Sequence, residues 1–183
     1  MNVIKTKIEG VLIIEPRVFG DERGFFYETF HAARYKEAGI AEDFVQDNRS
    51  RSTGGVLRGL HFQKNKPQGK LVTVTQGEVY DVVVDLRPDS ATFGQYEGIM
   101  LTGENKIQFY IPPGFAHGFC VLSDTADFQY KCTDFYDPSD EGGLIWNDET
   151  VNINWPISEP NLSAKDKVLP SLKDIYKNLK EGW

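Results

Sequence analysis

The sequence has 183 residues and a mass of 20.7 kDa, the size of one domain with a buried core. Hydrophobic residues make up 40%, charged residues 26% and aromatic residues 13%, so a chain that is disordered throughout is excluded. The net charge of -7 argues against non-specific binding to nucleic acid, and an anionic ligand would need a local basic pocket. We expect a single domain over residues 1–183.

The hydropathy and the cysteines indicate where the protein works. The N-terminus lacks the basic flank and apolar run of a signal peptide, and no apolar run approaches the length of a membrane span. The two cysteines, Cys120 and Cys132, lie among apolar or aromatic neighbours, as expected for reduced core residues. The sequence therefore predicts a reduced, cytoplasmic protein that does not bind membranes.

Short β-rich runs separated by Gly, Pro, Asn and Asp predict an all-β sandwich or barrel. Apolar and polar residues alternate most clearly over 78–86 and over 126–136, where Phe128, Tyr130 and Cys132 share a face that we expect to point inward. In chain order, we predict strands at 8–15, 24–30, 43–50, 55–63, 70–76, 78–86, 95–101, 106–111, 117–122 and 126–136, and short helices at 32–38 and 171–180.

Several common catalytic patterns are absent from the sequence. No Gly-x-Gly-x-x-Gly, P-loop or Gly-x-Ser-x-Gly motif occurs, which argues against nicotinamide redox chemistry and a serine nucleophile. The three histidines, His31, His61 and His117, are widely separated and form no metal-binding motif. We therefore expect neither a metal nor a cofactor.

The segment 56–63 carries the first candidate groups. On a regular strand Arg58 and His61 would point to opposite faces, but a bulge at Gly59 would bring them to one side. They are either a base beside a cationic substrate anchor or a surface arginine and a structural histidine. Lys70 opens an apolar strand and is either an oxyanion-stabilising cation or a lysine that protects a strand edge.

Other candidates also have two interpretations. Tyr130 either donates a proton from its phenol or packs in the core with a hydrogen-bonded hydroxyl. Arg23, at a glycine-containing turn, either binds phosphate or caps a hairpin. Gln46 and Asn48 share a strand face, as two amides that bind a base or a sugar would. The remaining polar or aromatic candidates have no evident structural duty: His117, Tyr136, Glu141, Lys165 and Asp166.

Together these segments resemble the dTDP-4-dehydrorhamnose 3,5-epimerase family over nearly the whole chain. Each motif is weak alone, but their order and spacing are specific. The resemblance implies a cupin-type double-stranded jelly-roll barrel with a few short helices. The motifs that carry it are 21–26, 46–48, 56–63, 112–119, 130–133, 146–148 and 162–166.

The resemblance also implies a reaction: inversion of C3 and C5 of dTDP-4-dehydro-6-deoxy-D-glucose, without a cofactor, in dTDP-L-rhamnose biosynthesis. It makes His61 the general base, held by Asp166, and Tyr130 the general acid on the opposite face of the sugar. These roles are chemically consistent, because a proton beside the C4 ketone leaves as an enolate that a cation can stabilise. Lys70 is our candidate for that cation.

The same resemblance implies a nucleotide-sugar site and a homodimer. Tyr136 would stack on the thymine, and Arg23 would act in its own site or in that of the partner subunit. The residues implied to bind the substrate are Arg23, Glu28, Gln46, Asn48, Arg58, Lys70, His117, Tyr136, Glu141 and Lys165.

Three alternatives remain open at this point. The first is a mono-epimerase that acts on C3 or C5 only, or on a related 4-keto nucleotide sugar. The second is a non-catalytic or metal-binding cupin, against which the missing His-x-His motif and the presence of both His61 and Tyr130 argue. The third is a structural or interaction protein, which would not require Arg23, Lys70 and Lys165 to converge on one pocket.

Overall fold

The computed structural model describes residues 1–181, and for residues 179–181 it describes the backbone only. The elements, in chain order, are β1 (Asn2–Lys5), β2 (Leu12–Glu15), β3 (Val18–Asp21), β4 (Gly24–Tyr27), α1 (Ala32–Glu37), β5 (Gln46–Thr53), β6 (Leu57–Gln63), β7 (Lys70–Gln76), β8 (Glu78–Asp85), β9 (Tyr96–Thr102), β10 (Gln108–Ile111), β11 (Phe115–Val121), β12 (Thr125–Cys132), β13 (Glu141–Gly143), a 3-10 helix (Asp166–Val168) and α2 (Leu172–Glu181).

Two antiparallel sheets form the body of the fold. The first has the strand order β1-β2-β10-β7-β12-β5, and the second has the order β13-β6-β11-β8-β9. Strands that are adjacent in a sheet are mostly distant in sequence, which is the arrangement of a jelly roll. The strands β3 and β4 form a separate hairpin, and the prediction of an all-β protein with few helices is confirmed.

The main core lies between the two sheets. Phe109 and Phe128 from the first sheet pack in one cluster with Val79 and Val83 from the second, and all four are at most 1% exposed. Burying an aromatic or aliphatic side chain of this size contributes roughly 1.5–3 kcal/mol each. These side chains fill part of the barrel and leave the remainder to a cavity.

The outer face of each sheet is covered by one helix. Tyr35 of α1 packs over the first sheet, while Leu172 and Ile175 of α2 pack over the second. The predicted serine cap of α2 is confirmed, since the Asp174 amide donates to Ser171 Oγ at 3.3 Å. Because α2 covers the outer face of β8, that strand is buried on both faces rather than one.

The predicted strands differ from the observed ones mainly at their ends. The expected strand 126–136 ends at Cys132, and the following loop turns back so that the Tyr136 amide donates to Gln46 Oε1 at 3.0 Å. The expected strand 8–15 begins only at Leu12. Three short strands, β1, β3 and β13, were not predicted; β13 has the sequence Glu-Gly-Gly, which carries no alternating pattern.

Within residues 1–181, no helix is long and apolar enough to cross a membrane.

Candidate active site

A cavity of about 650 Å³ lies between the two sheets. Both sheets line it, together with the segment that leads into the 3-10 helix. It brings together most of the candidates, namely Gln46, Asn48, Arg58, His61, Lys70, His117, Tyr130, Tyr136, Glu141, Lys165 and Asp166.

A histidine–carboxylate dyad lies on the β6 side of this cavity. His61 Nε2 is 2.6 Å from Asp166 Oδ1, so the carboxylate accepts the Nε2 proton and leaves the lone pair on Nδ1. Burial raises the pKa of Asp166, but the hydrogen bonds from His61 and Ser163 outweigh burial and hold that pKa below its ordinary value. Asp166 is therefore a carboxylate that fixes the histidine tautomer.

Gly59 explains how Arg58 and His61 reach the same cavity. It has a φ of +111°, and a Cβ there would lie 2.7 Å from the carbonyl oxygen of His117 on β11. The register between β6 and β11 shifts at this point, as a bulge requires. The bulge interpretation is confirmed, and only glycine fits both the left-handed backbone and the close approach.

A second histidine–carboxylate pair lies deeper in the same wall. Both carboxylate oxygens of Asp81 lie within 3.0 Å of His117 Nε2, and Asp81 is completely buried. Burial lowers the pKa of His117 and raises the pKa of Asp81, because neither charge is hydrated there. Sequence reasoning missed Asp81, although its place between Val79 and Val83 on one face of the strand was a signal.

Lys70 lies close to this second pair. It is the first residue of β7, as the sequence indicated, and it lines the cavity. Burial lowers the pKa of its ammonium, whereas the negative charges of Asp81 and Glu141 act in the opposite direction. A partly desolvated cation of this kind is suited to stabilising a developing oxyanion.

Tyr130 faces the cavity from the other sheet. It is a residue of β12, while His61 belongs to β6, so the two side chains approach the cavity from opposite walls. Burial raises the pKa of the phenol. The hydroxyl therefore stays protonated at neutral pH and can donate a proton. The expectation that Tyr130 shares an inward face with Phe128 is confirmed.

Amides and an aromatic ring occupy the outer part of the cavity. Gln46 Nε2 donates to Asn48 Oδ1 at 3.0 Å, and Gln46 Oε1 accepts the Tyr136 amide. The Tyr136 residue is 50% exposed at the rim. Arg58 donates from Nε to Ser52 Oγ at 3.0 Å and also lines the cavity.

Glu141 connects this outer region to the dyad. Its Oε2 lies 2.5 Å from Lys165 Nζ and accepts the Tyr136 hydroxyl at 2.9 Å, while its Oε1 is 3.8 Å from His61 Nδ1. Burial raises the pKa of Glu141, but the bonds from Lys165 and Tyr136 outweigh it and the net pKa is lowered.

Comparison with known proteins identifies the family. A family model described as dTDP-4-dehydrorhamnose 3,5-epimerase matches residues 5–174. The chain belongs to the dTDP-4-dehydrorhamnose 3,5-epimerase family. Among its curated relatives in this family, the protein of Shigella flexneri is 58% identical over 91% of this chain and 93% of its own, and that of Escherichia coli is 54% identical over 97% of both.

Solved structures agree with the epimerase family and its fold. A dTDP-6-deoxy-D-glucose-3,5-epimerase from Legionella pneumophila in complex with dTDP-4-keto-L-rhamnose has a TM-score of 0.92 and 57% identity, over 94% of this chain and 93% of its own. A 3'-monoepimerase from Streptomyces bikiniensis, in complex with dTDP-quinovose, has a TM-score of 0.88 and 33% identity, over 96% and 89%. The predicted cupin-type jelly roll is confirmed.

Two candidates do not line the cavity within one epimerase chain. Arg23 lies at the turn of the β3–β4 hairpin, where its side chain is 84% exposed and pairs with Asp21. Glu28 follows β4 and pairs with Arg34 at 2.7 Å. Both residues therefore lie outside the pocket that the other candidates share.

The described residues contain no cluster of three or more His, Cys, Asp or Glu side chains placed to hold a metal ion. Cys120 and Cys132 are buried free cysteines, as expected. Cys132 also lines the cavity, where it accepts a hydrogen bond from Asn48 Nδ2 at 3.6 Å.

Proposed function

We propose that this chain inverts C3 and C5 of dTDP-4-dehydro-6-deoxy-D-glucose to give dTDP-4-dehydro-L-rhamnose, without a cofactor. One observation carries the proposal: a single cavity holds an imidazole base on one wall, and a phenol and a cation on the opposite wall. The Legionella relative, whose structure holds dTDP-4-keto-L-rhamnose, supports the choice of substrate. The product would serve dTDP-L-rhamnose biosynthesis in the cytoplasm.

His61 is the general base in this proposal. Asp166 holds the Nε2 proton, and the lone pair of Nδ1 removes the proton from the carbon beside the C4 ketone. Both C3 and C5 flank that ketone, so one base can act at each carbon in turn. The imidazolium that forms is stabilised by the adjacent carboxylate.

Lys70 and Tyr130 complete the reaction. The enolate carries its charge on the C4 oxygen, where the Lys70 ammonium stabilises it. Tyr130 then returns a proton to carbon from the opposite face, which inverts the centre. The raised pKa of the Tyr130 phenol supports this role, because the donor must be protonated before each turnover.

The nucleotide occupies the outer part of the cavity in this proposal. Tyr136 stacks on the thymine, and Gln46 and Asn48 hydrogen-bond the base or the sugar. Arg58 and Lys165 bind the diphosphate, which explains how a chain of net charge -7 binds an anion.

The active form in this proposal is a homodimer. The β3–β4 hairpin carries Phe25 and Phe26, which are 62% and 70% exposed, and an apolar projection of this kind is suited to an interface. Arg23 and Glu28 flank these aromatic residues and would reach the cavity of the partner subunit. The dimer thus gives a role to two candidates that one chain leaves outside the pocket.

Solvent exchange tests the proposal directly. Purified protein is incubated with dTDP-4-keto-6-deoxyglucose in heavy water, and deuterium at C3 and C5 is counted by mass spectrometry and NMR. We expect label at both carbons, with inversion. The matching 3'-monoepimerase structure makes a mono-epimerase the second candidate, and label at one carbon would select it. No label at either carbon would contradict both.

A further inference from the structure

Glu141 makes contacts that a substrate-binding residue alone does not require. One carboxylate oxygen holds both Lys165 and Tyr136, and the other lies 3.8 Å from Nδ1 of His61. The side chain is only 14% exposed, so these contacts are partly shielded from water. One carboxylate thus touches the proposed base and two groups of the nucleotide site.

The ion pair with Lys165 competes with a diphosphate. Lys165 is a compact cation on a flexible stem, and its Nζ is held here by Glu141 at 2.5 Å. A nucleotide diphosphate that binds the same ammonium must displace the carboxylate or share its partner.

We propose that Glu141 is a positioning residue that couples nucleotide binding to the strength of the base. When the diphosphate takes Lys165, the charge of the Glu141 carboxylate is no longer neutralised, and from its place beside His61 it stabilises the imidazolium that proton abstraction creates. Glu141 thereby lowers the affinity for the nucleotide and raises the rate of proton abstraction. This inference rests on the proposed function and adds a device that activates the base only when the nucleotide is bound.

The charges around His61 allow this coupling. Asp166 faces the ring from the 3-10 helix, Glu141 faces it from β13, and His117 faces it from β11. Asp166 is fixed on Nε2 by its hydrogen bond, and His117 is bound to its own partner, Asp81. Glu141 is the group of these three whose charge is shared with the nucleotide site.

The test is the variant Glu141→Gln, with Glu149→Gln as a matched control at an exposed position outside the cavity. Affinity for dTDP and for inorganic pyrophosphate is measured by calorimetry, and kcat is measured against pH. We expect Glu141→Gln to bind dTDP about three- to tenfold more tightly, because one charge-assisted competitor is removed. We expect kcat to fall about tenfold and its acid limb to move to lower pH.

A double-mutant cycle with Lys165→Gln removes ambiguity. The gain in dTDP affinity from Glu141→Gln should disappear in the Lys165→Gln background, because no ammonium is then left for the carboxylate and the diphosphate to compete for. Weaker dTDP binding by Glu141→Gln, with kcat and its acid limb unchanged, would overturn the inference and leave Glu141 as a simple substrate contact. Thermal melting verifies folding, and Glu141→Asp, which keeps the charge, should retain the acid limb.

Failure of the proposed function is recognised separately. If the wild-type protein neither binds dTDP nor incorporates deuterium into the sugar, the proposed function is wrong. If it does both and Glu141→Gln behaves in the opposite way, only the coupling is wrong.

Discussion

The cavity contains two histidine–carboxylate pairs that are chemically alike but differ in their surroundings. His61 and His117 are direct partners in the register between β6 and β11, and each is bound through Nε2 to a carboxylate. The His61 side chain is 29% exposed, whereas that of His117 is 7% exposed and its partner Asp81 is completely buried. The two pairs therefore differ in their access to water and substrate, which is greater for His61.

This difference separates the two roles. The pKa of Asp166 is lowered by its hydrogen bonds in spite of burial, whereas the pKa of Asp81 is raised by burial in spite of its histidine. A dyad with a firmly ionised carboxylate can stabilise an imidazolium, whereas a buried pair that resists charge is suited to shaping the pocket. The same two residue types thus suit the proposed base in one place and a scaffold beside Lys70 in the other.

The largest expected effect comes from replacing each of the two histidines by asparagine in separate variants. His61→Asn should lower kcat by about 10³-fold, because a general base contributes on the order of 10²–10⁴. His117→Asn should act mainly on KM, with kcat within about tenfold of the wild type. The exposed His31 provides the matched control, and His31→Asn should leave both constants unchanged. If His117→Asn lowered kcat more than His61→Asn did in steady-state kinetics, the assignment of the two histidines would be reversed.

An intermediate effect is expected from the two carboxylates. Asp166→Asn removes a negative charge from the base, so kcat should fall by about 10²-fold. Its acid limb should move to lower pH, because the imidazolium loses its stabilising neighbour. Asp81→Asn keeps an acceptor for His117 and should leave the acid limb in place. The position of the acid limb is measured from the pH profile of kcat for both variants. Equal shifts of the acid limb would show that the two histidine–carboxylate pairs are equivalent.

The smallest expected effect concerns stability in acid, because the contributions of the two carboxylates to the free energy of unfolding change with pH in opposite directions. Asp166 has a depressed pKa, so its stabilisation is present above its ordinary value of 3.8 and is lost as the pH falls through its folded pKa. Asp81 has a raised pKa, so its contribution is present below 3.8 and is lost as the pH rises through its folded value.

Urea unfolding at about pH 5 and about pH 3.5 compares the variants, and each effect is below about 1.4 kcal/mol per pH unit. Asp166→Asn should lose less stability on acidification than the wild type, and Asp81→Asn should lose more. Shifts of the same sign in both variants would contradict the comparison.

The sequence predicted the pair of His61 and Asp166 but not the pair of His117 and Asp81. The order and spacing of the motifs identified His61 with Asp166, although these residues are far apart in the chain. Asp81 stood out only as a polar residue among valines, and its partner His117 comes from a neighbouring strand 36 positions away. Alternation along one strand gives the face of a residue, but a cross-strand partner depends on register, which one sequence does not contain.

The rim of the site shows the same limit. Gln46 and Asn48 were correctly placed on one strand face because both belong to a single strand, β5. Glu141 was singled out, but its strand was not, because Glu-Gly-Gly has no β pattern and pairs with β6 only through tertiary contact. Its simultaneous contacts to Lys165 and His61 therefore required the structure.

The most direct test of the account follows deuterium exchange and inversion separately in Tyr130→Phe and His61→Asn, with dTDP-4-keto-6-deoxyglucose in heavy water. If His61 removes the proton and Tyr130 returns one from the opposite wall, Tyr130→Phe should still exchange deuterium but should not invert the labelled carbon, and His61→Asn should do neither. Persistent exchange in His61→Asn together with its loss in Tyr130→Phe would contradict the division of roles on which the account depends.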